Sequence, residues 1–184
     1  MADATIGMAV EAQAVNGGSG HGEIVYEQLL PHLFVQAPHA SDAIEFYKKA
    51  FGAEEVAKSH HPKRKADQDV PLILHAHLKF GAAEIMVCDD TADAGPNVKP
   101  PSSVEATTAI LHLQTNNAEA AIKRAIEAGA KVSEEVSDQP WGQRYGKVVD
   151  PYGFVWSIAT PLAAGAATKT SSSPAPPEEA VALL

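Results

Sequence analysis

The feature that most limits what this chain can fold into is an order of elements that occurs twice. "LLPHLFVQ" (Leu29 to Gln36) alternates apolar and polar residues as a half-buried strand does. It is followed by "SDAIEFYKKAFGAEEV", a helical pattern with Ser41 as expected N-cap and Gly52 as stop. The second half opens on "AILHLQT" (Ala109 to Thr115), which alternates likewise, and continues with "NNAEAAIKRAIEAGAKV". There Asn116 or Asn117 is the expected cap and Gly129 the stop. Both helices end in Gly-Ala and run into a short strand holding a valine. Two further strands follow in each half: Ile73 to Phe80 and Glu84 to Cys88, then Tyr145 to Val149 and Phe154 to Ala159, the last two joined by the turn "DPYG". The expected fold class is therefore α+β, with two βαβββ modules.

The ends differ in character from this core. Residues 1–26, with "NGGSGHG", and residues 162–184, with "TKTSSSPAPPEEA", have the composition of disordered tails. That leaves one domain over residues 27–161, its modules at 27–92 and 107–161. "NVKPPSSVEA" (Asn97 to Ala106) reads as the linker between them and "SHHPKRKADQDVP" as a mobile loop, with His60 and His61 solvated in it. The net charge of -9 and pI near 5.3 exclude a nucleic-acid surface, which needs basic stripes. No apolar run approaches the roughly 20 residues that cross a bilayer. Cys88 is the single cysteine, so no intramolecular disulfide is possible and a reducing, cytoplasmic setting is expected.

Two such modules, with "FYKKAFGAEE" in the first and "WGQRYGKVVDPYGFVWSI" in the second, resemble the vicinal oxygen chelate superfamily of glyoxalase, bleomycin-resistance and extradiol-dioxygenase proteins. The tails and the "HPKRK" loop look like its small plant members. The resemblance implies cupped sheets paired around a cavity, often in a homodimer. In metal-dependent members that cavity holds one divalent ion, with a ligand from each of four strands. Carried over by counting from the motifs, the four positions fall on His32, Met86, Ala109 or Ile110, and Ser157. One ligand of four remains, and a thioether, an aliphatic group and a hydroxyl do not replace carboxylates or imidazoles around a divalent cation. No metal and no cofactor are expected.

Strand parity then suggests what the cavity holds instead. In "ILHAHLKF", Leu74, Ala76, Leu78 and Phe80 share the face expected to pack on the helices, leaving His75, His77 and Lys79 on the other. A hairpin at Gly81-Ala82 sets Lys79 opposite Glu84, His77 opposite Met86 and His75 opposite Cys88. The same parity turns His32 and Gln36 inward on the first strand, and His112 and Gln114 on the fifth. A single inward histidine is most often a hydrogen-bonded polar residue. Four on one kind of face, His32, His75, His77 and His112, depress one another's pKa and supply the neutral imidazole that a general base requires. Gln36, Glu84, Met86, Gln114 and Ser157 are the expected substrate contacts, with Trp141 at the mouth. Arg144, with Lys147, is a candidate to meet a carboxylate or oxyanion, with a surface or structural role as the equal alternative. Cys88 has no helix terminus or cation beside it that would make it a nucleophile.

The expectation that follows is a metal- and glutathione-independent lyase or isomerase that enolises, and in some substrates aromatises, a small apolar hydroxy-ketone. Some plant relatives of glyoxalase look like such enzymes, acting on terpenoid ketols. The base is an inward histidine, His77 or His32 first. The alternative is a non-catalytic protein that sequesters a small molecule, as bleomycin-resistance members do; a third reading is a structural or regulatory protein whose cup is filled by its own side chains. The expected partners are a small apolar carbonyl compound and a second copy of the chain, with neither nucleic acid nor membrane.

Overall fold

Alternation in "HLFVQ" sends Leu33 and Val35 to one face, where both are buried, and leaves His32 and Gln36 exposed on the other. The computed structural model describes residues 24–62 and 71–162 and contains the repeated unit twice. In the first module β1 (His32–Gln36) leads through α1 (Ala40–Phe51) to β2 (Glu54–His60), β3 (Ile73–Phe80) and β4 (Ala83–Asp90). A linker carrying the short helix α2 (Pro101–Val104) follows. The second module has β5 (Ile110–Gln114), α3 (Ala118–Glu127), β6 (Lys131–Gln139), β7 (Gln143–Val149) and β8 (Val155–Pro161). Each module closes its own four-stranded mixed sheet, in the orders β1-β4-β3-β2 and β5-β8-β7-β6. Residues 1–23 and 163–184 of the expected tails, and residues 63–70 of the expected loop, lie outside the described residues.

The helices carry the junction. Each buries one stripe, Ile44, Tyr47 and Ala50 on α1, Ile122 and Ala125 on α3, and the two pack on each other as well as on their own sheets. The resulting core is one cluster on the helix side of both sheets, including Leu78, Val87, Trp156 and Ile158. Each such aliphatic or aromatic side chain contributes about 1.5–3 kcal/mol through burial. Arg124 of α3 donates from Nε to the Ala50 carbonyl at the end of α1, 2.7 Å away, satisfying a helix-end acceptor across the junction. Among the described residues no helix is long and apolar enough to cross a membrane.

Local expectations hold with three corrections. Asn117 caps α3, its side chain accepting from Ala120 N at 3.0 Å, and Gly52 closes α1 in the left-handed region with φ 70°. The first strand, however, begins at His32 and not at Leu29, which is 93% exposed. Pro31 has no N–H to give, so the ladder ends there. Ser41 is not the cap of α1: the helix starts at Ala40, whose N–H is taken by the buried Asp89 carboxylate on β4 at 2.9 Å. Leu74 is 43% exposed while Ile73 is buried, because a register shift between Ser59 and His60 reverses the facing at the start of β3.

Candidate functional site

The face of the first sheet turned away from the helices gathers three imidazoles. Met86 is the hub: it pairs with His32 of β1 on one side and His77 of β3 on the other, so His32, Met86 and His77 form one row across three strands. Lys79 stands opposite Glu84 in the next row, as the hairpin reading requires. His75 lies two residues along β3, its ring centroid 5.9 Å from that of His77, and its Nδ1 shares a hydrogen bond with Ser59 Oγ at 3.0 Å. The His32 ring packs on Phe34, 4.5 Å between centroids. Partial burial, and then the neighbouring His75 and His77, hold the His32 pKa below its ordinary value of 6.5. A neutral, proton-accepting imidazole beside two others that can donate is the acid–base capacity of this face. Gln36 lies farther along, paired with Asp90 and exposed.

The fourth histidine belongs to the other sheet, so the imidazoles form a group of three and one apart. His112 pairs with Ser157, and its Nδ1 shares a 2.8 Å hydrogen bond with the buried Ser157 Oγ. Tyr145 stacks against His112 with centroids 6.5 Å apart and planes 19° from parallel, and Trp141, 61% exposed, meets Tyr145 edge-on at 5.9 Å. Gln114 lies on the same strand face as His112, paired with Ala159. Tyr145 is a residue that motif reading passed over. Its signal was available, because it stands two residues from Lys147 in a strand and so shares its face.

Arg144 takes the structural alternative by the same rule. Three residues from Lys147, it takes the opposite face: it donates from Nε and Nη2 to the Asp138 carboxylate at 2.7 and 3.2 Å and lies 3.6 Å from Glu119 of α3. Lys147 does occupy the open face, 5.6 Å from the Tyr145 ring centre, and is paired with Glu134 at 2.8 Å. Both cations therefore already have carboxylate partners. Cys88 is buried, and its thiol is pushed up to about 12 by burial and by Asp89 and Asp90, so it is no nucleophile.

The strand register also revises the matching of the two modules. The rows His32–Met86–His77–Ala57 and His112–Ser157–Lys147–Glu134 correspond, which makes His112, and not Ala109 or Ile110, the counterpart of His32. Counting back from the helix misses this because the chain is two residues shorter there: α1 starts eight residues after His32, α3 six after His112. Two of the four ligand positions are thus imidazoles, with Met86 and Ser157 in place of the two carboxylates. That donor set does not fit a divalent cation. Among the described residues no three His, Cys, Asp or Glu side chains come together as a metal site.

Comparison with known proteins places these features. Residues 32–90 match the model described as "Glyoxalase At5g48480-like, N-terminal domain", and residues 110–159 match its C-terminal partner. An uncharacterized protein of Arabidopsis thaliana, At5g48480, is 37% identical over 152 residues, covering 82% of this chain and 89% of its own. The X-ray structure of that gene product superposes with a TM-score of 0.58 at 33% identity, covering 73% of this chain and 99% of its own. PA1353 of Pseudomonas aeruginosa shares the fold, with a TM-score of 0.58 at 20% identity over 75% of this chain and 100% of its own.

Proposed function

The chain belongs to the glyoxalase At5g48480-like family, within the vicinal oxygen chelate superfamily, and from that premise we propose that it enolises a small apolar hydroxy-ketone with His32 as general base. The observation that carries this reading is the row His32–Met86–His77, with His75 beside it. A neutral His32 takes the proton from the carbon next to the carbonyl. The C–H bond breaks, its electron pair enters the new C=C bond, and the carbonyl oxygen becomes an oxyanion. An N–H of His77 hydrogen-bonds to that oxygen, the part a metal plays elsewhere in the superfamily. Transfer of the hydroxyl proton to that oxyanion, with return of the first proton from His32 to the former carbonyl carbon, completes an isomerisation. In a β-hydroxy-ketone the enolate pair instead forms the Cα=Cβ bond while the β-hydroxyl takes the proton from His32 and leaves as water, a lyase reaction. Met86, between the two imidazoles, offers an apolar floor suited to an apolar substrate.

The working unit in this reading is a homodimer, since a second copy would cover the exposed Ile110 and Trp141 of the second module. Light scattering tests that part. Sequestration without turnover is the second reading, favoured by the aromatic pair of exposed Trp141 and half-buried Tyr145, which suits a planar ligand. Proton exchange separates the two. Hydroxy-ketones incubated with metal-chelated protein in deuterated buffer gain deuterium next to the carbonyl if the protein enolises them. Chemical-shift changes without deuterium uptake would favour the binder.

A further inference from the structure

A groove of about 490 Å³ lies between β1 and the linker that joins the modules, a volume in the range of small-molecule sites. Its walls include Phe34 from β1, Val104 from α2, Leu111 from β5 and Phe154 ahead of β8, so both modules and the linker contribute. Polar groups also line it, with Lys99 and His32 among them. The charge pattern is selective. The chain carries 23 acidic residues against 14 lysines and arginines, yet no Asp or Glu is among the described residues lining the groove, and Lys99 is the only Lys or Arg among them.

The linker that forms one wall is held in place. Pro100 and Pro101 are buried, and Ser103 Oγ donates to the Pro100 carbonyl at 2.8 Å. Glu105 ends α2 at φ 53°, the one non-glycine residue in the left-handed region among the described residues, and Ala106 N donates to the Pro101 carbonyl at 3.3 Å. Gly153 on the second module lies so near that a Cβ there would be 2.9 Å from Ser102 N. A strained, non-glycine turn kept by its surroundings is a feature of ligand-holding segments, and a rigid wall costs a ligand little ordering entropy.

We propose that this groove binds a small apolar monocarboxylate, its hydrocarbon body against Phe34, Val104, Leu111 and Phe154 and its carboxylate paired with Lys99. Lys99 lines the groove and is exposed, so its stem can lie against the apolar wall while the ammonium meets the anion. The groove reaches His32 and so adjoins the proposed enolisation site, but carboxylate binding at Lys99 does not depend on that activity.

Calorimetric titration of the full chain with naphthoate, which has no enolisable proton, and with the isosteric, uncharged naphthamide tests the assignment. Lys99 and Val104 are exposed, so Lys99→Gln and Val104→Glu leave the core untouched, and circular dichroism checks that they do. Lys99→Gln is expected to weaken naphthoate binding about tenfold, the effect of losing one charge-assisted hydrogen bond, and to leave naphthamide unchanged. Val104→Glu should weaken both. Naphthoate that fails to bind at millimolar concentration, or binds equally to wild type and both variants, would overturn the proposal.

Discussion

Tyr47 donates its hydroxyl to Asp150 Oδ2 at 2.9 Å, both groups buried, and so ties the helix of the first module to the turn of the second across 103 residues of sequence. The same oxygen accepts from Trp156 Nε1, and Oδ1 accepts from the backbone N–H of Tyr152 and Phe154, each at 2.9 Å. Around it Tyr47 and Phe51 of the first module pack on Trp156 of the second, with centroids 5.3 and 4.7 Å apart. The "FY" and "DPYG" motifs that mark the family thus build the junction between modules.

Asp150→Asn should therefore be costlier than Tyr47→Phe. The amide can still accept from one pair of donors, but its NH₂ faces the other pair and leaves buried donors unsatisfied, a loss of about 1–3 kcal/mol. Removing the tyrosine hydroxyl costs about 1 kcal/mol. Urea unfolding of the two variants checks the order, and an equal or reversed loss would contradict this description of the junction.

Gly153→Ala strains the backbone, at φ 91°, and drives a Cβ into the linker, whereas Gly81 at φ 60° has open space around it. Gly81→Ala should cost about 1 kcal/mol from conformation alone. Gly153→Ala should cost distinctly more, read as a larger fall in the midpoint of thermal unfolding.

Cys88 should resist thiol reagents at pH 8 in the native protein and react promptly in denaturant, because burial and two adjacent carboxylates hold its thiol at about 12. Labelling kinetics with and without urea check this; fast native labelling would mean that the sheet opens.

Much of this architecture was readable in the residues. The limits of β3 coincide with the alternating run "ILHAHLKF", and the pairing of His77 with Met86 followed from a two-residue turn at Gly81-Ala82. What escaped was set at a distance. Asp89 supplies the start of α1 from another strand, so no residue near Ser41 could announce it. Residue counting misplaced the partner of Ser157, because the relation between His112 and Ser157 is fixed by strand register and not by distance from the helix. Arg144 had a surface role and a site role open to it, and the register that sets Asp138 beside it is not visible in the motif. Whether the open faces of the two sheets come together around one cavity depends on how the modules pack, which strand alternation does not encode.

The His32 imidazole should titrate below 6.5 by NMR, and His75→Ala or His77→Ala should move it upward, toward but not to 6.5, since burial is the larger cause. The unfolded chain binds the proton more readily. His32 therefore stabilises the fold fully above pH 6.5, and that contribution is lost as pH falls through the folded value. Base activity should rise over the same window and level off near neutrality. A His32 resonance unmoved in both variants would contradict the coupling.

The measurement closest to the central claim is deuterium uptake into benzoin, next to its carbonyl, catalysed by the chelator-treated protein and by His32→Ala. The proposed base predicts uptake by wild type that falls about a hundredfold or more in the variant. Uptake that is equal in the two proteins, or that appears only when a divalent metal is added, would contradict it.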